Sequence, residues 1–262
     1  MIRMVKRIKS SPKDLFHLEK LRKFKDISNS TQPENYKNRV VIKPWGYEYL
    51  IFENECVATW FLHIKGGHST SMHCHPQKKT SLILLSGNAL CNTFERRNYL
   101  DTPDAIILEK SVFHSTKALS PNGIDVIEIE TPPDKTDLVR LNDEYGRQKQ
   151  GYEGLEEMRL NNLDEFDHFY FGTPKAGEIF YHNSKSYRIT LEGYNSSNES
   201  QLKIKNESLY SLFNGQLSDD KGNAVLEIGD TVRGADLSRK ICSKDDPLLF
   251  GVTENSAVYK SG

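Results

Sequence analysis

His73 and His75 stand one residue apart in the stretch "SMHCHPQKKTSLILLSG", residues 71–87, just ahead of an apolar run that ends in glycine. Side chains of a strand alternate faces, so the two imidazoles share one face and Cys74 takes the other. Two imidazoles placed in this way can bind one metal ion if a third ligand arrives from another strand. His114, in "LEKSVFHSTKAL", is the candidate. Histidine serves zinc, iron, nickel and copper, whereas manganese ordinarily needs some carboxylate as well. Of the other histidines nearby, His63 lies in the apolar run "TWFLHIKGG" and reads as structural, and His68 falls in a turn and reads as solvated. Lys78 and Lys79 follow the pair and read as exposed lysines at a hairpin rim, with a phosphate contact as the functional alternative.

These residues need a β scaffold, and the sequence supplies one. From Val40 it breaks into short apolar runs, among them "RVVIKPWGYEYLIFE", "CVATWFLHI", "TSLILLSG", "DAIILE" and "GIDVIEIE", punctuated by glycine, proline, asparagine or aspartate. Regular short strands of this kind argue for an antiparallel sandwich or barrel. Trp45, Tyr47, Tyr49 and Trp60 read as core or barrel-end packing. Ahead of the strands, "SPKDLFHLEKLRKFKDI" carries a helix start at Ser11-Pro12 and places Leu15, Phe16, Leu18, Leu21 and Phe24 at near-helical spacing. It predicts an amphipathic helix packed on the body or on a second subunit. "DKTDLVRLNDEYGRQKQGYEGLEEM" then reads as a polar connector whose Asp137, Arg140, Asp143 and Arg147 fit either a surface ion-pair network or a ligand site.

After residue 165 the β pattern returns, and "SLYSLFNGQL…AVLEIGDTV" echoes "SLILLSGNAL…DAIILEKSV", with hairpin turns expected at Gly215 and Gly229-Asp230. The second half holds His168 and His182 but no paired histidines. The expected organisation is a helical segment over 1–38, a metal-binding barrel over 39–150 and a degenerate second barrel over 151–262, which covers the first, supports a dimer or shapes the pocket.

A formal net charge of -1 gives no electrostatic reason to expect nucleic acid as a partner. No apolar run approaches the roughly 20 residues of a membrane span. The opening "MIRMVKRIKSSPKDLF" is basic but lacks the apolar core of a secretory signal, so a cytoplasmic protein is expected. Cys56, Cys74, Cys91 and Cys242 form no CxxC pair and read as plain thiols.

The spacing Gly66-x6-His73-x-His75-x4-Thr80-x6-Gly87 resembles the first motif of the cupin superfamily, and "DAIILEKSVFHSTK" resembles the second. That resemblance implies a jelly-roll barrel of antiparallel strands with a metal near its mouth, held by three histidines and one glutamate. "KPWGYE", "STSMHCHPQKKTSLILLSGNALC" and "IEIETPPDKTDLVRLNDEYGR", within residues 43–147, together resemble the cupin part of type II mannose-6-phosphate isomerases. The superfamily's ligand positions then fall on His73, His75, Thr80 and His114. The basic residue proposed to meet the substrate phosphate or to assist catalysis falls on Lys78, and Arg140 and Arg147 match the terminal segment. The isomerases carry glutamine where this chain has His73, so this position follows the general cupin pattern.

Thr80 is the main departure, because a neutral hydroxyl is a poor ligand for a divalent ion. Three imidazoles alone can still hold zinc or ferrous iron, and an acidic side chain such as Glu109 could enter from elsewhere.

The expected fold is therefore all-β, a double-stranded β-helix (cupin/jelly-roll) barrel repeated twice, with a short helical N-terminal segment. The expected cofactor is a divalent ion (Zn, Fe, Ni or Mn) on His73, His75 and His114. Lys78 or Arg140 would hold the anionic group of a phosphorylated or nucleotide-activated sugar. The expected activity is that of an isomerase or epimerase of carbohydrate or surface-polysaccharide metabolism, acting as a homodimer, with its general base unassigned. Two alternatives stay open: a three-histidine non-haem iron dioxygenase, whose site also omits the carboxylate, and a non-catalytic sugar-binding cupin.

Overall fold

A computed structural model describes residues 4–22, 33, 35–147, 152–195, 203–219, 221–237 and 242–255. The chain forms two compact units, one of Lys6–Tyr170 and one of Phe171–Gly262 together with the start of the chain up to Val5.

The first unit contains one helix, α1 (Pro12–Arg22), and a series of short strands: β1 (Val5–Ile8), β2 (Val40–Lys43), β3 (Gly46–Glu53), β4 (Ala58–Ile64), β5 (Met72–Cys74) and β6 (Lys79–Ser86). They continue with β7 (Asn88–Thr93), β8 (Arg97–Asp101), β9 (Ala105–Leu108), β10 (His114–Ala118), β11 (Ile124–Thr131), β12 (Val139–Asn142) and β13 (Met158–Arg159). These make two antiparallel sheets. The larger runs β1-β9-β6-β11-β4-β3-β2-β13 and the smaller runs β12-β5-β10-β7-β8. Gly87 carries the chain from one sheet to the other at φ +77°. A Cβ there would come within 2.9 Å of the Gly123 carbonyl oxygen, so the corner needs glycine.

The core lies between the sheets. Trp60, Leu62, Leu82, Leu84, Ile106, Leu108, Ile124 and Val126 of the larger sheet meet Ala89, Cys91, Leu100 and Ala118 of the smaller one. Alternation along β11 therefore fixes a further fact: Glu128 and Glu130 share the inner face with Ile124 and Val126.

Helix α1 covers the outer face of the smaller sheet. Its start is a capping box: the Asp14 N–H donates to Ser11 Oγ at 3.2 Å, and the Ser11 N–H donates to the Asp14 carboxylate at 2.7 Å, with Pro12 at the first helical position. Leu18 packs with Cys74 and Phe113, supported by Leu21. Leu15 and Phe16 are 53% and 63% exposed, so the buried stripe is narrower than the spacing predicted. Phe24 lies outside the described residues.

In the second unit, β14 (Ile179–Asn183), β15 (Tyr187–Gly193), β16 (Leu209–Ser218), β17 (Ala224–Leu226), β18 (Thr231–Arg233) and β19 (Cys242–Glu254) form one antiparallel sheet. β17 and β18 pair with opposite ends of β16. Tyr194, Tyr210, Leu212, Leu217, Leu226, Leu237 and Leu249 form its core. Gly215 does not make the expected hairpin turn. It sits inside β16 at φ +71°, where the register against β19 slips, so it serves a bulge. Gly229-Asp230 makes a tight turn, with the Asp230 N–H donating to the Glu227 carbonyl at 3.0 Å, but not the expected hairpin, because β17 and β18 on either side both run antiparallel to β16.

Candidate metal centre

β5 is only three residues long, and its alternation sets the site. Met72 and Cys74 face α1, and His73 and the following His75 face the barrel interior. His114 opens β10, directly across from His73 in the antiparallel register. On the other side of β5, Arg140 of β12 is also opposite His73. The His73 and His114 rings are 4.4 Å apart, His73 and His75 5.0 Å, and His75 and His114 5.7 Å. One nitrogen from each of the three lies within 4.8 Å of the other two.

The other ring nitrogens decide the chemistry. Nδ1 of His73 donates to the Ser71 carbonyl at 2.8 Å, that of His75 to the Asp137 carbonyl at 2.6 Å, and that of His114 to the Val112 carbonyl at 3.0 Å. A carbonyl oxygen can only accept, so each Nδ1 carries hydrogen. In the neutral ring each Nε2 is then left with a lone pair. Burial, with help from neighbouring cations, holds the pKa of His73 and His75 well below the usual histidine value, and burial brings that of His114 down to about 4. The three rings are thus neutral at physiological pH, the state in which imidazole ligates a metal. His75 is 6% exposed, and its Nε2 has no hydrogen-bond partner among the described residues. An unsatisfied buried nitrogen is costly unless something binds it. These residues fit a divalent ion.

Beside the histidines the interior is highly charged. Lys78, 1% exposed, donates to Glu130 at 2.9 Å, and Lys135 lies 3.3 Å from both Glu130 and Glu48. Lys135 also sits 3.6 Å above the Trp60 ring. Lys43 bonds Glu153, and Tyr152 donates a short hydrogen bond to Glu48. Behind them Arg147 pairs with Asp143 and Glu153, and Arg140 lies 3.5 Å from Glu153. Burial alone would raise the Glu130 pKa, but the Lys135 and Lys78 ammonium groups hold it below the usual value. At Glu128 burial, helped by the Glu130 and Glu48 carboxylates, outweighs the pull of Lys135 and Lys78 and lifts it to about 7. Its Oε1 is 3.8 Å from His75 Nε2. The cavity these groups line measures about 60 Å³, room for an ion and a few waters.

Two facing antiparallel sheets, with paired histidines on one inner strand and a third on its neighbour, settle the architecture. The first unit is a double-stranded β-helix (jelly-roll) barrel.

No protein-family model matches the chain, and no curated protein matches it in sequence. Among solved structures it is similar to KdgF from Halomonas sp., at 15% identity over 40% of this chain and 96% of that one, with a TM-score of 0.35. A RmlC-like cupin from Shewanella frigidimarina is similar at 14% identity over 42% of this chain and 96% of that one, with a TM-score of 0.34. The DMSP lyase DddQ from Ruegeria pomeroyi is similar at 16% identity over 43% of this chain and 56% of that one, with a TM-score of 0.33.

Several residues of the barrel lie where the sequence did not place them. Lys78, just ahead of β6, is buried in an ion pair with Glu130 rather than exposed at a rim. His68 is half-buried, with Nδ1 3.0 Å from the Tyr145 hydroxyl, so it is not simply solvated. Glu109 does not enter the site; it pairs with Arg7 at 2.5 Å near the surface. His63 is structural as expected, bonded through Nδ1 to Asp125 at 2.8 Å and stacked on Tyr47. The connector's Arg140, Asp143 and Arg147 are buried rather than on the surface: the two arginines line the cavity, and Asp143 pairs with Arg147. Glu128 and Glu130 had no place in the sequence-derived site. Their alternation with Ile127 and Ile129 in "IDVIEIET" was the available signal, because it puts both carboxylates on one face of a strand.

Proposed function

We propose that this protein is a metal-dependent cupin enzyme acting on a phosphorylated or nucleotide-activated sugar, as an isomerase or epimerase. The observation that carries the reading is the convergence of three Nδ1-anchored imidazoles beside a wall of buried lysines and carboxylates. His73, His75 and His114 hold the divalent ion. Such an ion supplies Lewis acidity toward a carbonyl or hydroxyl oxygen.

The remaining work falls to the chain's own side chains. Lys43, Lys78, Lys135, Arg140 and Arg147 line the cavity with Glu48, Glu128 and Glu130, and Glu153 and Asp143 pair with these cations from behind, so an anionic ligand is held by exchanging ion pairs. Lys78 and Arg140 flank the histidines and bind the anionic group of the substrate. Lys78 does so by exchanging part of its bond with Glu130. A proton leaving the substrate has Oε2 of Glu130 to go to. That oxygen is buried, lacks a hydrogen-bond partner among the described residues, and belongs to the His75–Glu128–Glu130 cluster. The two lysines keep the Glu130 carboxylate ionised and ready to accept. We assign the second unit the support of a homodimer.

Incubating the metal-loaded protein with hexose phosphates and following aldose–ketose exchange tests the reading. Turnover that disappears on Glu130→Gln supports it, and silence with metal bound contradicts it. The three-histidine iron dioxygenase draws on Thr80, whose buried Oγ1 offers no charge to a metal. It predicts oxygen consumption that depends on ferrous iron and a thiol or diketone.

A further inference from the structure

We infer that Glu128, on β11, is the fourth ligand of the metal centre, supplying from a neighbouring strand the carboxylate that Thr80 cannot. The inference rests on the reading of the three histidines as an ion site.

The strand register makes the exchange direct. On β6 and β11, Thr80 lies opposite Glu130 and Leu82 opposite Glu128, and all four side chains share the barrel's inner face. Thr80 is 1% exposed and its Oγ1 has no hydrogen-bond partner among the described residues, so the position is enclosed and chemically idle. The carboxylate next to it on β11, Glu130, is engaged by Lys78 at 2.9 Å and Lys135 at 3.3 Å. Glu128 is the one that faces a ring nitrogen: its Oε1 stands 3.8 Å from the unpartnered Nε2 of His75.

Cavity geometry points to the same group independently. Glu128 and His73 both line the charged cavity and a second, smaller cavity, which His114 also lines. The Glu128 carboxylate lies within 4.8 Å of a His75 nitrogen, in a group with Glu130, and joining His73 and His114 on one ion takes a turn of its side chain about the shared cavity. Two ligand atoms each about 2.1 Å from one ion, at a near-tetrahedral angle, are about 3.4 Å apart. The observed 3.8 Å between Oε1 and Nε2 closes to that value toward His75 by a shift of a few tenths of an ångström, and rotation of the Glu128 side chain brings the same oxygen toward the other two rings. The donor set becomes three imidazoles and one carboxylate. It neutralises one of the ion's two charges and suits zinc, ferrous iron or manganese better than three imidazoles alone.

The test uses the full chain stripped of metal and titrated with Co2+, read by its visible d–d absorption, and with Zn2+ in competition with a chelator. Glu128→Gln keeps shape and removes charge. It is expected to weaken both ions by at least about tenfold and to change the Co2+ spectrum. Adding Thr80→Glu to Glu128→Gln is expected to restore affinity, because a carboxylate returns to the same space from β6. Wild-type affinity and an unchanged spectrum in Glu128→Gln overturn the inference. If Glu128→Gln does not melt cooperatively, Glu128→Asp decides in the same way: its shorter arm weakens binding if the carboxylate ligates, and unchanged binding overturns the inference. These readouts separate the two failures. A wild-type chain that binds Co2+ but isomerises nothing contradicts the proposed reaction alone, whereas unaltered Co2+ binding in Glu128→Gln contradicts the ligand alone.

Discussion

His73 and His114 are direct partners across two antiparallel strands, their rings 4.4 Å apart. Neither strand moves independently of the other, so the pair is preorganised before any ion arrives. The third ring, His75, is brought in by the next inward position of the same edge and tied to the connector through the Asp137 carbonyl. Preorganised ligands of this kind respond to distant changes in the supports that hold them.

The first support is Asp14. Besides capping α1, its Oδ1 accepts the N–H of Phe113 at 2.8 Å, the residue before His114. Asp14→Ala removes the cap and orphans a buried N–H. We expect a loss of about 2 kcal/mol in urea denaturation, with weaker metal binding as His114 loses its anchor. Unchanged stability would contradict the assigned role of the helix.

Lys78 gives a test of the buried charge. Lys78→Met leaves Glu130 inside the barrel with one fewer cation, at an expected cost of about 3 kcal/mol. Lys78→Met combined with Glu130→Leu removes both charges and is expected to recover most of that loss, because a well-packed apolar pair avoids desolvation. A double variant less stable than the single one would show that the pair supports the fold through more than charge compensation.

Acid behaviour follows from Asp143 and Glu153. Burial opposes ionisation of both, but bonds from Arg147 hold Asp143 below its usual 3.8, and Lys43 and Arg140 hold Glu153 below its usual 4.5. Depressed folded-state values mean that the unfolded chain takes up protons first. The stabilisation is therefore complete above about pH 4.5 and is lost as pH falls through the lower folded values. Thermal melts between about pH 2.5 and 6 should show this acid limb, and it should be shallower in Arg147→Met. Equal slopes in the two proteins would contradict the pairing.

The His73/His75 pair, the β pattern and the helix start at Ser11-Pro12 were readable from the sequence, because each depends on short-range spacing: one residue between His73 and His75, period two in the strands, and a cap before a periodic run. His114, from a distant strand, was only a candidate. The carboxylates were not readable. Glu128 and Glu130 sit in a strand whose closeness to β5 and β6 is set by sheet order rather than by sequence distance. The burial of Lys78 depends on Glu130, 52 positions away. Gly215 misled for a related reason: a left-handed glycine serves a bulge as well as a hairpin, and only pairing with β19 distinguishes the two. Thr80 raised the right question, and its answer lies on the adjacent strand.

The central claim is that His73, His75 and His114 together hold one divalent ion. Elemental analysis of the full chain after loading with zinc, ferrous iron, nickel or manganese and removal of excess metal tests it most directly, alongside His73→Ala, His75→Ala and His114→Ala. One ion per wild-type chain, lost in each substitution while the fold persists by circular dichroism, is the predicted result. A wild-type chain that retains no ion, or one whose metal content survives all three substitutions, would contradict it.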